Sequence, residues 1–299
     1  MAKIAVELNQ APARRDVEGE PGRIAACRIA RGHGWSVSDL VCICGPHDRP
    51  FEEKHSGFSI AIVAAGTFQY RSAAGNELMT PGSLMLGNAG QQFECAHSHG
   101  RGDHCLSIGF TPDYFERLAA DAGFRRGDRK FRALRLSPVR DFSALAARAL
   151  AGLAGPASVP WEELSLRLAA NALRLGSCSF GGAAISTASA QARVTRSIRL
   201  IELRSTTKLT LEALAREADL SPYHFLRVFQ QLTGATPHQY IVRTRLREAA
   251  RRLAAEPTKI LDIALDSGFG DISNFNHSFR AEFGVSPRVY RWQSSRKGN

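Results

Sequence analysis

Apolar residues follow two different spacings along the chain. Between residues 58 and 110 they form short runs or alternate with polar residues, with glycine and proline between the runs. That pattern predicts β-strands at residues 58–65, 67–71, 84–86 and 105–110. Beyond residue 139 they recur every three or four residues, which predicts amphipathic helices at 139–153 and 160–175 and throughout the C-terminal third.

The strand-rich segment also carries a short motif. Gly75 is followed six residues later by Pro81-Gly82, and this spacing resembles the second cupin motif. The strand pattern predicts a small β-barrel or sandwich, and the two following helices would cover it or form a dimer interface. The metal-binding histidine of that motif would fall near Met85 or Leu86, which are not ligands for a hard metal ion. A cupin-type metal site is therefore expected to be incomplete.

The C-terminal third contains an internal repeat of 49 to 50 residues. Ten positions match in order, the first four at an offset of 49 and the last six at an offset of 50. The pairs at the shorter offset are Leu211/Ile260, Leu214/Ile263, Ala215/Ala264 and Leu220/Phe269. The pairs at the longer offset are Phe225/Phe275, Phe229/Phe279, Gly234/Gly284, Thr236/Ser286, Pro237/Pro287 and Tyr240/Tyr290.

Each copy of the repeat is predicted to form two helices joined by a tight turn. Thr210 and Ser221-Pro222 are suited to the starts of the helices in the first copy. Asp219 occupies the position of Gly268, where the turn is expected to need a left-handed backbone. Asp271 is the expected cap of the last of these helices. Helix, short turn and helix is the helix-turn-helix pattern.

The outer faces of the second helices in each copy carry few of the Glu and Lys residues usual on solvated helices. They offer side chains that hydrogen-bond to base edges and phosphates. A packing or capping role for any one of them is the alternative. The candidate DNA-binding residues are Tyr223, His224, Leu226, Arg227, Gln230, Ser273, Asn274, His277 and Arg280.

A long helix at about Pro237 to Ala255 is predicted between the two copies. At 1.5 Å per residue it would span about 27 Å, which suits two DNA-contacting helices that lie in successive turns of the major groove. Its arginines are expected to face phosphates or water. They are Arg243, Arg245, Arg247, Arg251 and Arg252.

Charge is concentrated in the same third. The chain has 39 Lys and Arg against 28 Asp and Glu, a net charge of +11, and residues 191–299 carry +8 of it. A basic domain beside a nearly neutral one favours a polyanionic partner, although a basic surface that only confers solubility is the alternative.

No apolar run reaches the ~18 residues of a membrane span, and the first ten residues lack a secretory signal. Six cysteines in 299 residues are not typical of a disulfide framework. We therefore expect a cytoplasmic protein.

The C-terminal sequence resembles the AraC/XylS family of bacterial transcription regulators over about residues 193–292. The resemblance lies in the string Gly268-Phe269 through Phe279, with Phe283-Gly284, Ser286-Pro287 and Tyr290-Arg291. Asp219 departs from the family's usual glycine. The resemblance implies two helix-turn-helix units that enter the major groove of double-stranded DNA, a homodimer, and contact with RNA polymerase.

The predicted architecture is therefore α+β, with a cupin-like β-barrel and two following helices, and then an all-α domain with two helix-turn-helix units. The expected domains are residues 1–180 for effector sensing and dimerisation, a linker at 181–192, and 193–299 for DNA binding. The predicted function is that of an effector-responsive transcription factor and not an enzyme. A purely architectural DNA-binding role would leave the nearly neutral N-terminal domain unexplained.

The N-terminal domain holds a dense set of polar ligand types. Residues 94–105 contain two cysteines and three histidines, and Cys42 and Cys44 precede them. An organic effector pocket, a zinc or copper site and an inert polar loop are the three interpretations. The candidate effector-binding residues are His47, His55, Tyr70, His97 and His99. The alternative function is a cupin-like metal-binding enzyme or metal sensor fused to the DNA-binding domain.

Overall fold

The computed structural model describes residues 24–98, 102–138, 140–153, 159–176 and 187–295. The chain divides into two compact units. The first comprises Met1–Pro138 with Pro160–Thr187, and the second comprises Val139–Val159 with Ala188–Asn299. The predicted effector-binding residue His99 and half of the predicted linker, residues 181–186, lie outside the described residues. None of the described helices combines the length and the hydrophobicity needed to cross a membrane.

The first unit is built on two antiparallel sheets, which gives the predicted cupin-like architecture. A six-stranded sheet has the order β1-β2-β9-β4-β7-β10 and a four-stranded sheet the order β3-β8-β5-β6. The strands are β1 Ile24–Gly32, β2 Trp35–Cys42, β3 Phe51–Lys54, β4 Phe58–Gly66, β5 Phe68–Ser72, β6 Gly75–Met79, β7 Leu84–Gly87, β8 Gln92–Ala96, β9 Asp103–Phe110 and β10 Arg135–Leu136.

Strands β4, β5, β7 and β9 coincide with the four predicted strands to within two residues. Alternate side chains of these strands form one buried cluster that includes Val63, Tyr70 and Cys105. The register places Cys42 opposite Asp103 at one end of the six-stranded sheet. This pairing brings residues 61 positions apart in the sequence to one place.

Two helices of the first unit follow the sheets, α1 Pro112–Asp121 and α3 Trp161–Gly176. Helix α1, whose Phe115 is fully buried, was not predicted from the sequence. The other helix agrees with the prediction for residues 160–175, and its Leu164, Leu168 and Leu173 are buried as that spacing requires.

The second unit is helical. Its helices are α2 Arg140–Gly152, α4 Ala188–Arg204, α5 Leu211–Glu217, α6 Pro222–Thr233, α7 Pro237–Ala255, α8 Ile260–Asp266, α9 Ile272–Phe283 and α10 Pro287–Ser295. Helices α5 and α6 form the first predicted helix-turn-helix, α8 and α9 the second, and α7 joins them. The bounds of α7 are those predicted. Thr236 and Gln239 form a capping box that fixes its start.

Helix α2 departs from the sequence-based division of the chain. The prediction counted residues 139–153 with the barrel, whereas the structure groups α2 with the helical unit, where it packs on α7 and α9. The Ser143 hydroxyl donates to the buried Glu282 carboxylate, and Ala147 packs against the apolar cluster around Phe279. An amphipathic pattern predicts that a helix buries one face but does not say against what.

The predicted linker at 181–192 also differs from the structure. Residues 188–192 are the first turns of α4, and Gln191 is buried there. Residues 188–192 contain three alanines and one glutamine, and both residue types favour a helix.

Candidate nucleic-acid interface and barrel sites

The first helix-turn-helix is held by its caps and its turn. The Thr210 hydroxyl accepts the Ala213 N–H at 3.2 Å, and the Ser221 hydroxyl accepts the His224 N–H at 3.4 Å. Asp219, between the two helices, has a φ of 53°. The left-handed backbone predicted for this turn is therefore present. It costs a non-glycine residue about 1–2 kcal/mol, which the packing around the turn offsets.

The second helix-turn-helix repeats this geometry. Gly268 has a φ of 88° at the matching position, and the Asp271 carboxylate accepts the Asn274 N–H at 2.7 Å. A Cβ added at Gly268 would lie 2.8 Å from the Cα of Thr206 and 3.0 Å from the Nε of Arg245. Glycine is thus required here both by the backbone angle and by a close approach of another segment.

The aromatic cores of the two units are arranged alike. The rings of Phe225 and Phe229 lie 5.3 Å apart at 54°, and those of Phe275 and Phe279 lie 5.5 Å apart at 53°. Each second phenylalanine then meets a tyrosine edge-on, at 5.5 Å in the first copy and 5.4 Å in the second. The 50-residue repeat therefore describes two packed units with the same internal geometry.

The packing of these aromatic faces leaves the opposite faces of α6 and α9 in solvent. Tyr223 is 77 % exposed, and Leu226 is half-buried at the edge of the face. Asn276, an exposed amide that was not among the predicted DNA-binding residues, also lies on α9. The other candidate DNA-binding residues are all exposed: His224, Arg227, Gln230, Ser273, Asn274, His277 and Arg280.

The arginines of α7 have partners within the protein. Arg243 lies 3.5 Å from Glu282 and Arg247 lies 3.1 Å from Glu202, and Arg252 bridges two acidic residues. The side chains of Arg243 and Arg252 are each only 18 % exposed. The prediction that they face phosphates or water is wrong for these two, because spacing along a helix does not reveal which acidic side chains lie across from it.

Other basic side chains brace the first helix-turn-helix. Arg245 donates to the carbonyl oxygens of Ser205 at 2.6 Å and Thr207 at 2.9 Å, while burial lowers its pKa. Arg193 donates to the Asp219 carbonyl and lies 3.3 Å from its carboxylate. Part of the positive charge is therefore structural, whereas Arg227 and Arg280 are exposed cations on the outer faces of α6 and α9.

Two of the predicted effector residues meet in the barrel. His55 Nε2 lies 2.8 Å from the Tyr70 hydroxyl, and His55 Nδ1 lies 3.2 Å from the Ser59 hydroxyl. The imidazole stacks on Phe93 at 4.1 Å. Burial lowers the pKa of His55 from 6.5 to about 4, so the ring is neutral at pH 7. Gly87 is required beside it, since a Cβ there would lie 2.3 Å from His55 Nε2.

A cavity of about 560 Å³ opens beside His55. Serines from three strands, Ser36, Ser59 and Ser107, form part of its wall, and Arg28 and Arg31 of β1 lie at its edge. Neither arginine was predicted as a site residue, because both lie in a strand that the apolar pattern does not reveal. A pocket of this size whose lining is largely polar and carries two arginines suits a small polar ligand with an anionic group.

His47 and His97, two other predicted effector residues, do not join this pair. His47 is exposed. His97 is buried at 6 % exposure and contacts the cysteines at the end of β2, with its Nδ1 lying 4.0 Å from the sulfur of Cys42. His97 Nε2 is 2.7 Å from an oxygen of Asp103, whose other oxygen accepts from the Cys105 thiol at 3.1 Å.

The cluster around His97 is rich in sulfur. The ligand atoms of Cys42, Cys44 and His97 all lie within 4.8 Å of one another. Burial, followed by the charge of Asp103, raises the pKa of the Cys42 thiol. The described cysteines are thiols: Cys27, Cys42, Cys44, Cys95 and Cys105. A separate buried pair, His104 with Asp39 at 2.5 Å, joins β9 to β2, and no spacing in the sequence indicates it.

Comparisons with known proteins bear on both units. A family model described as "Helix-turn-helix domain" matches residues 214–293, and one described as "AraC-like ligand binding domain" matches residues 43–172. The HTH-type transcriptional activator AarP of Providencia stuartii is 35 % identical over 91 residues, which are 30 % of this chain and 67 % of that protein. The chain belongs to the AraC/XylS family of transcription regulators.

Other members of the AraC/XylS family match as well. The HTH-type transcriptional activator RhaS of Salmonella dublin is 30 % identical over 189 residues, which are 60 % of this chain and 66 % of that protein. The crystal structure of an AraC-type transcriptional regulator from Chromobacterium violaceum is 28 % identical, covers 38 % of this chain and all of that one, and has a TM-score of 0.35. With both family models matched, the chain is an AraC-type DNA-binding transcription regulator with a ligand-binding domain.

Proposed function

We propose that this regulator reads its operator with the exposed faces of α6 and α9, each lying in the major groove. The supporting observation is the repeated geometry of the two units, in which matched aromatic cores expose matched polar faces. The residues that would touch DNA are Tyr223, His224, Leu226, Arg227, Gln230, Ser273, Asn274, His277 and Arg280. Helix α7, with 19 residues, spans about 28 Å and joins the two readers.

The test uses the full chain and a duplex selected by it from a random library. Affinity is expected to fall steeply with salt, because phosphate contacts release counterions. Arg227→Ala is expected to weaken binding by about 1–3 kcal/mol and to relax specificity at one base pair if it makes a base-edge contact. A loss shared equally by all sequences would make Arg227 a phosphate contact instead.

Arg251→Ala is the matched control, because it removes the same charge from an exposed arginine that pairs with Glu248 on α7. It is expected to leave affinity for the selected duplex nearly unchanged. If Arg251→Ala and Arg227→Ala weakened binding equally, or if affinity were flat in salt, the proposed reading faces would be wrong.

We also propose that a small organic effector binds in the cavity beside His55. Ser36, Ser59 and Ser107, which line the cavity, offer hydroxyl groups to a ligand, and Arg28 and Arg31 favour a ligand with an anionic group. Screening carboxylic acids and uncharged polyols for thermal stabilisation of the full chain tests this. Gly87→Ala, which would displace His55, is expected to abolish the stabilisation by a hit. Stabilisation that persists in this variant would place the effector elsewhere.

We infer further that the protein acts in the cytoplasm as a homodimer, regulates transcription through RNA polymerase and carries out no catalysis. The family to which both units belong supports this assembly and role. Sedimentation at micromolar concentrations tests the dimer, and a single species of 32.6 kDa would contradict it. In vitro transcription from the selected site, with and without the chain, tests the effect on polymerase.

A further inference from the structure

The sulfur cluster at the end of the barrel is not used by DNA reading or by the effector cavity. We propose that Cys42, Cys44 and His97 form a binding site for a thiophilic d¹⁰ metal ion, Zn²⁺ or Cu⁺. The proposal does not depend on the DNA-binding role, because its evidence lies wholly within the first unit.

The three ligands lie at or just after the ends of strands from the two sheets, so their convergence reflects the tertiary fold. Cys42 ends β2 in the six-stranded sheet, and Cys44 follows two residues later. His97 directly follows β8 in the four-stranded sheet. All three ligand atoms lie within 4.8 Å of one another. In a tetrahedral zinc site the sulfurs are about 3.8 Å apart, so closing the site around an ion needs movements of about 1 Å or less.

The histidine is already oriented for metal binding. Its Nε2 lies 2.7 Å from Asp103, and the two side chains are 3 % and 10 % exposed. With the Nε2 proton donated to this carboxylate, the Nδ1 lone pair points to the Cys42 sulfur at 4.0 Å. A carboxylate behind a histidine in this way fixes the tautomer and strengthens the histidine as a ligand.

Backbone contacts hold the two cysteines in place without help from an ion. The Gly102 N–H donates to the Cys44 carbonyl at 2.7 Å, and the Cys44 N–H lies 3.5 Å from the Cys42 sulfur. Gly102 has a φ of 69°, and a Cβ there would lie 2.3 Å from the Cys42 carbonyl oxygen. Only glycine allows β9 to begin this close to the end of β2.

The donor chemistry selects the class of ion. Two sulfurs and an imidazole suit zinc or cuprous copper, whereas magnesium and calcium require oxygen ligands. Because Cys44 is only half-buried, an incoming ion has a route from solvent. Binding displaces the thiol protons, so affinity rises with pH.

The experiment measures metal bound per chain. The full chain is purified anaerobically with a reductant that does not bind metal, loaded separately with Zn²⁺, Cu⁺ or Mg²⁺, desalted and analysed by mass spectrometry for metals. One equivalent of Zn²⁺ or Cu⁺ and no Mg²⁺ are expected. Loading with an equimolar mixture in the presence of graded chelators then distinguishes zinc from copper.

Single substitutions locate the ion. Cys42→Ser, Cys44→Ser and His97→Gln are each expected to lower affinity at least about tenfold, and Asp103→Asn by about 10–100-fold through the histidine. Cys27→Ser is the matched control, because Cys27 is an exposed thiol on β1, and it is expected to retain wild-type affinity. Equal loss in Cys27→Ser would show a nonspecific thiol effect and overturn the site.

A measurement on the wild-type chain covers the case in which a variant fails to fold. Cobalt loading is expected to give the near-ultraviolet absorption of sulfur-to-cobalt charge transfer, and bound zinc is expected to protect two thiols from alkylation while Cys27 reacts. Less than about a tenth of an equivalent of zinc and copper after loading would overturn the proposal.

Discussion

Replacing Gly268 by alanine should destabilise the second helix-turn-helix more than the same substitution at Gly270 or Gly284. The left-handed φ of 88° alone costs an alanine about 1–2 kcal/mol. The added Cβ would also lie 2.8 Å from the Cα and 2.9 Å from the carbonyl oxygen of Thr206, and both are backbone atoms that cannot rotate away. Overpacking of this kind adds about 1–3 kcal/mol, so the sum is about 2–5 kcal/mol.

The two other glycines separate the two causes. Gly284 has a φ of 76°, but nothing lies within 4 Å of an added Cβ. Gly284→Ala should therefore cost only the backbone strain of about 1–2 kcal/mol. Gly270 has open space and no positive φ, so Gly270→Ala should be neutral or stabilise by up to about 1 kcal/mol.

The assay is urea unfolding of the full chain followed by circular dichroism, with hydrogen exchange of the α9 amides as a local measure. We expect Gly270→Ala to be the most stable variant, Gly284→Ala to be intermediate and Gly268→Ala to be the least stable. An equal loss of unfolding free energy in Gly268→Ala and Gly284→Ala would show that the backbone at Thr206 moves away from the added Cβ at little cost. A Gly270→Ala variant as unstable as Gly268→Ala would refute the explanation altogether.

Three further outcomes are expected from other contacts. Glu282→Gln should cost about 1–3 kcal/mol in urea unfolding, because it leaves the mostly buried Arg243 without its carboxylate; a stability equal to wild type would show that this pair is not needed. Arg245→Ala should destabilise the chain by about 1–3 kcal/mol through two lost carbonyl bonds, whereas Arg251→Ala should change stability by less than about 1 kcal/mol. His55 binds protons less readily when folded, with its pKa lowered from 6.5 to about 4. Protonation of His55 therefore does not change the free energy of unfolding above about pH 6.5, and it lowers that free energy as the pH drops from about 6.5 towards 4. His55→Gln should flatten this decline between pH 7 and 5, and an unchanged slope would contradict the assignment.

The helical unit could be predicted well because its signals are local. Thr236 and Pro237 define the start of α7, and the turn at Gly268 requires one residue type. Helix caps and turns of this kind are determined by a few neighbouring residues in the sequence. The exposed faces of α6 and α9 follow from the same spacing, so helical periodicity identifies most of their outward side chains, although Asn276 was not among those predicted.

The barrel could be predicted only in part because its contacts are distant in the sequence. Strand β1 carries Arg28 and Arg31 and is largely exposed, so it lacks the apolar run that revealed β4. Cys42 and His97 stand out in the sequence as ligand types, but their meeting depends on the register that sets Cys42 opposite Asp103. The same limit explains why the partners of the α7 arginines were not foreseen.

The placement of α2 in the helical unit has a consequence for how the protein can be cut. The chain passes from one compact unit to the other three times, after residues 138, 159 and 187. A protease that cleaved once between residues 177 and 186 would therefore sever the backbone without separating the fragments, since the N-terminal piece would still carry α2 packed on α7 and α9. A DNA-binding fragment beginning at Ala188 would lack that helix and expose the surface around Glu282.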